Sequence, residues 1–90
     1  MIRKCILRLG GVRYYQAGTV DSGARMAINE DGDAKAVYFD DATGFFWASP
    51  WDSWQRYLND PSLEYSEWCA RSEGIQLTED DDGVLMEVIV

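Results

Sequence analysis

The chain has no histidine, two cysteines and two prolines among its 90 residues, and only eight basic side chains against sixteen acidic ones. Without histidine, the usual near-neutral general base and the commonest metal ligand are missing. Ser-His-Asp and Cys-His nucleophile systems are excluded with it. Cys5 and Cys69 are too few for a disulfide framework or for the four ligands of a zinc site, and both are expected to be reduced core thiols. No apolar run approaches the ~20 residues that a membrane span requires, and Met1-Ile2-Arg3-Lys4-Cys5 lacks the apolar stretch of a secretory signal. The expectation is therefore a cytoplasmic protein with no membrane partner. The glycines at 10, 11, 18 and 23 do not have the spacing of a phosphate-cradling loop. Acids gathered in exposed turns are also poorly suited to the pKa separation that acid–base catalysis needs. These absences predict a protein that is not an enzyme and uses no cofactor and no metal.

What is present is a substantial apolar content, 47% of residues, including Trp47, Trp51, Trp54 and Trp68. A chain of this length buries roughly 60 to 65 per cent of its unfolded surface around one core, so residues 1–90 are expected to form a single acidic domain. Ile2 to Leu9 reads as a strand, with Cys5, Leu7 and Leu9 on one face and Lys4 and Arg8 on the other. Gly10-Gly11 links it to a strand from Val12 to Ala17, a tight-hairpin signal. Asp21-Ser22-Gly23, Asp31-Gly32 and Asp40 to Thr43 mark further turns. They separate strands over 25–29, 35–39 and 44–48.

At Ser49-Pro50-Trp51-Asp52 the pattern turns helical: Ser can cap, Pro fits the first helical position, and Asp stands where a capping-box acid belongs. A helix of about nine residues is predicted, with Trp51, Trp54, Tyr57 and Leu58 inward and an Asp52–Arg56 pair outward. Asn59-Asp60-Pro61 ends it and opens a second helix running to about Ser72, with Tyr65, Trp68, Cys69 and Ser72 inward and Asp60, Glu64, Glu67 and Arg71 outward. Ile75 to Thr78 and Val84 to Val90 complete a last hairpin. The fold class expected is α+β: an antiparallel sheet, as a meander of about five strands plus a C-terminal hairpin, with two short consecutive helices between residues 50 and 73.

Charge is distributed unevenly. Residues 1–25 hold Arg3, Lys4, Arg8, Arg13 and Arg25 against Asp21, a balance of plus four, whereas residues 26–90 carry minus twelve. Such a field repels nucleic acid and anionic membranes and draws in basic proteins. Direct nucleic-acid binding is not expected. Asn29 to Asp33 and Glu79 to Asp82 superficially resemble calcium loops, but the glycine position and the distal Glu of a helix-loop-helix site are wrong. Turn formation is the preferred reading of both segments. Trp51 and Trp54 are expected in the core, with Trp47 less decided between core and interface anchor. In a meander, the acids Glu30, Asp31 and Asp33 should lie one strand length, roughly 15 to 20 Å, from Asp40 and Asp41. Asp60, Glu64 and Glu67 add an outward helical stripe.

A short, His-free chain with carboxylates at Asp40, Asp41, Glu64, Glu67 and Glu79, Asp80, Asp81 and Asp82 resembles, in style rather than by motif, the small acidic phage-encoded inhibitors of bacterial defence, of anti-CRISPR and anti-restriction type. Several of those act as nucleic-acid mimics. The resemblance implies an inhibitor that occupies the basic nucleic-acid-binding surface of a protein or ribonucleoprotein complex, as a monomer or homodimer. Two alternatives are an immunity protein or antitoxin neutralising a basic toxin, and a phage structural or assembly protein pairing through the edge of Val84 to Val90.

Overall fold

The computed structural model describes residues 4–21, 23–41, 43–59 and 74–88. Seven strands follow in chain order: β1 (Cys5–Leu9), β2 (Val12–Asp21), β3 (Ala24–Ile28), β4 (Ala34–Asp40), β5 (Phe45–Pro50), β6 (Ile75–Glu79) and β7 (Leu85–Glu87), with one helix, α1 (Trp51–Asn59), between β5 and β6. Each strand pairs with the next in antiparallel fashion from β1 to β7. The circle closes where β1 and β7 pair in parallel, Leu7 opposite Leu85 and Arg8 opposite Met86.

The expected α+β meander is thus corrected to a closed seven-stranded β-barrel carrying one helix among the described residues. The expected second helix, with its outward Asp60, Glu64 and Glu67, lies outside those residues. Closure was missed because it joins strands almost eighty residues apart without a connecting turn, and only turns leave a local signature. Its physical reason is visible in the side chains. Leu7, Leu9, Tyr14, Val37, Leu77 and Leu85 all bury on one side of their strands. An open sheet would leave that side half wet, and rolling it up covers it completely. Each fully buried Leu contributes about 1.5 to 3 kcal/mol relative to exposure. Closure also occupies both edges of Leu85–Glu87, which lies between β6 and β1.

Two details break simple alternation. Pairing shifts between Cys5 and Leu7, a bulge that turns Ile6 inward along with Leu7, and Cys5 is only half-buried, its thiol donating to the Leu7 carbonyl at 3.6 Å. A second shift falls between Gln16 and Val20, beside Gly18, whose φ of 78° suits a residue without Cβ.

Outside the barrel, α1 covers β4 and β5. Its stripe of Trp51, Trp54, Tyr57 and Leu58 packs, as the helical period predicts, on Ala24, Ala36, Tyr38 and Trp47. Trp54, 5% exposed, stacks on Tyr38 with ring centroids 4.7 Å apart and planes at 19°. The alanines let the helix approach closely. A nine-residue helix is marginal alone, so this docking holds it. Two local expectations are corrected. Ser49 does not cap the helix; it lies buried in β5, its hydroxyl paired with that of Tyr38 at 2.8 Å, because a hydroxyl facing the apolar layer must find a partner there. Arg56 does not pair with Asp52 but donates to the Ser53 hydroxyl at 3.2 Å, since an exposed i,i+4 ion pair contributes only about 0.3 to 0.5 kcal/mol and competes with any nearer acceptor.

Candidate partner-binding surface

Strand direction sorts the acids into two groups. The β3–β4 turn, with Glu30, Asp31 and Asp33, lies at the barrel end that also holds the Gly10-Gly11 turn. The β4–β5 turn, with Asp40 and Asp41, lies at the other end. Because β6 runs antiparallel to β5, the β6–β7 turn with Glu79, Asp80, Asp81 and Asp82 joins Asp40 and Asp41 there. The two ends stand about 20 Å apart, the length of the seven residues of β4. Asp60, Glu64 and Glu67 lie outside the described residues and are placed in neither group.

Within each group, some carboxylates build the turn and others stand clear of it. The Asn29 side-chain oxygen accepts from the amides of Asp31 and Asp33, both at 2.9 Å. Asp33 in turn accepts from the Tyr14 hydroxyl at 3.1 Å and approaches the Lys35 ammonium at 3.4 Å. Asp80 repeats the device: one oxygen accepts from the amides of Asp82 and Val84, at 2.8 and 2.9 Å, and the other meets Arg8 at 3.5 Å. Asp40 accepts from the Thr43 hydroxyl at 2.9 Å, which itself accepts from the Trp47 indole at 3.3 Å. Gly32 and Gly83, with φ of 83° and 80°, complete two of these turns. Asp33, Asp40 and Asp80 are therefore structural acids as well as surface charges. Glu30, Asp31, Asp33, Asp41, Glu79, Asp81 and Asp82 are exposed, whereas Asp40 and Asp80 are half-buried.

Burial, reinforced by the bond to Asp33, raises the Tyr14 hydroxyl above its usual pKa, since both the apolar surroundings and the neighbouring carboxylate oppose a phenolate. Among the described residues, no group of three or more His, Cys, Asp or Glu is arranged to hold a metal ion, and the loops that resemble calcium sites are turns joining strands. No helix of the described residues is long and apolar enough to cross a membrane.

Sequence reasoning passed over three surface features. Phe39 and Phe45 stand half-exposed on the β4–β5 hairpin beside Asp40. At the opposite end, an open groove is lined by Gly11, Val12, Arg13, Tyr15, Asn29, Glu30 and Asp31, residues that only strand pairing brings together. Glu87, also at that end, accepts from the Gly10 amide at 2.8 Å and ties the first turn to the last strand. Comparison with protein-family models, with curated proteins and with solved structures finds no match to this chain.

Proposed function

We propose that the chain is an acidic binding protein that occupies the basic nucleic-acid-binding surface of a protein or ribonucleoprotein complex, in the manner of the anti-defence inhibitors it resembles. The observation that carries this reading is the gathering of Asp40, Asp41 and Glu79 to Asp82 at one barrel end, with Glu30, Asp31 and Asp33 one strand length away. Hydrogen-bonded turns on a closed barrel hold these charges in place, so a partner meets a prearranged field and little side-chain entropy is lost on contact. Separated negative points on a rigid body resemble a nucleic-acid backbone. A groove of Lys and Arg would accept them and release its own counterions.

The test is capture from a bacterial lysate at low salt on the tagged protein, with elution by salt and by duplex DNA or RNA. A Lys- and Arg-rich nucleic-acid-binding protein should elute with rising salt and be displaced by the nucleic acid. Lysine at Asp41, Glu79, Asp81 and Asp82 should weaken its binding about a hundredfold or more, with the turn-building Asp40 and Asp80 left intact so that folding is preserved. Equal binding by the fourfold variant would refute this surface.

A further inference from the structure

The barrel wall opens between β2 and the β3–β4 turn. Across the Gly10-Gly11 turn, Leu9 pairs with Val12 and Arg8 with Arg13. The pair that closes a two-residue hairpin exchanges both of its backbone hydrogen bonds, so the next pair exchanges none and turns its backbone groups to the neighbouring strands. The amide and carbonyl of Arg13 therefore point away from β1, to the side on which β3 lies. There they meet no backbone partner among the described residues. Pairing of β2 with β3 begins only at Tyr15 and Ile28, because from Asn29 onward the chain bonds to itself: the Asn29 amide donates to the Asp33 carbonyl and the Gly32 amide to the Asn29 carbonyl, both at 3.1 Å. The gap so left is the open groove of that barrel end. Its volume of about 540 Å³ falls within the roughly 300 to 1,000 Å³ of small-molecule sites.

Both signs of charge line this groove. Arg13 stands on one wall and Glu30 and Asp31 on the other, all three exposed. Their side chains make no ion pair or hydrogen bond among the described residues. Val12, 45% exposed, and the half-buried Tyr15 supply apolar surface between them. We infer that the groove is a binding site for an α-amino acid with an apolar side chain, whose carboxylate takes the Arg13 guanidinium and amide and whose ammonium takes the Arg13 carbonyl with Glu30 and Asp31. The choice of ligand follows from the set of groups left open. A phosphate would satisfy Arg13 but be repelled by the two acids, and a basic side chain would meet the reverse conflict. An apolar ligand would bury the Arg13 amide and carbonyl without partners. A zwitterion satisfies every group at once, since guanidinium and amide both donate to a carboxylate while carbonyl and carboxylates accept from an ammonium. The fourfold variant that tests the proposed function leaves all of these groups in place, so the two readings fail separately.

The experiment is a titration of the isotopically labelled chain followed by the Arg13 and Glu30 amide resonances, with L-phenylalanine, 3-phenylpropionate, which lacks the ammonium, and 2-phenylethylamine, which lacks the carboxylate. L-Phenylalanine should shift both resonances and saturate with a Kd of about 1 mM, and each single-headed compound should bind about tenfold more weakly. Arg13→Gln should weaken L-phenylalanine and 3-phenylpropionate about tenfold and leave 2-phenylethylamine unchanged. Glu30→Gln with Asp31→Asn should do the opposite to the two single-headed compounds. These side chains are exposed, and the amide spectrum itself reports that each variant is folded. Equal binding of all three compounds by the wild type, shifts confined to residues outside the groove, or an Arg13→Gln chain that binds L-phenylalanine as the wild type does would overturn the site.

Discussion

Tyr14 spans two environments, its ring in the barrel core and its hydroxyl on Asp33 in the β3–β4 turn. Tyr14→Phe should destabilise the fold by about 1 kcal/mol at neutral pH, measured by urea unfolding, through loss of that bond. Its pH dependence gives a second check. The folded-state pKa of Tyr14 is raised above 10.0, so the folded chain holds that proton more tightly than the unfolded chain does. The associated stability is fully present below pH 10 and is lost as pH rises through the higher folded value. The wild type should therefore lose stability in alkali more steeply than Tyr14→Phe does. Beneath the helix, the Ser49–Tyr38 hydroxyl pair invites a double-mutant cycle. Ser49→Ala and Tyr38→Phe should each cost about 1 to 3 kcal/mol, and the double variant less than their sum. Strict additivity would show that the hydroxyls do not depend on each other.

Among the elements, α1 was the most legible and its environment the least. The spacing of Trp51, Trp54, Tyr57 and Leu58 shows which face turns inward, because the helical period is a property of the local chain. What that face meets was hidden, since Ala24 and Ala36 matter here for being small and smallness has no period. Ser49 was misread for the same reason: serine before proline is a capping signal, but the barrel wall on which it sits is assembled from distant segments. The hairpins were legible wherever glycine and aspartate marked a turn, as at Gly10-Gly11, Asp31-Gly32 and Asp82-Gly83. The parallel seam has no such marker. Trp54 is the keystone of the helix layer, so Trp54→Ala should cost about 3 to 5 kcal/mol. Near-ultraviolet circular dichroism should report loss of the Tyr38 stack. A cost under 1 kcal/mol would mean that the helix is held by other contacts.

For the molecule as a whole, the net charge of minus eight was plain in the sequence, and so was the separation of the β3–β4 acids from Asp40 and Asp41. The convergence of Asp40 and Asp41 with Glu79 to Asp82 was not, because it depends on β6 lying against β5. Crowding carboxylates at one end sets them against each other. Screening should relieve this, so the melting temperature should rise as sodium chloride is added from low to physiological concentration. A relief of about half a kcal/mol would correspond to about 2 to 4 °C. A fall would show that Arg8–Asp80 and Lys35–Asp33 outweigh the repulsion. The seam between β1 and β7 has a mechanical consequence as well. Because these strands run in parallel, Cys5 and Glu87 lie at opposite ends of the barrel. Tension that draws those two residues apart slides one strand along the other and loads the seam's hydrogen bonds together. Tension between Ile75 and Glu87, which share one end, unzips β6 from β7 one bond at a time. The same barrel should resist the first pull at a higher force than the second.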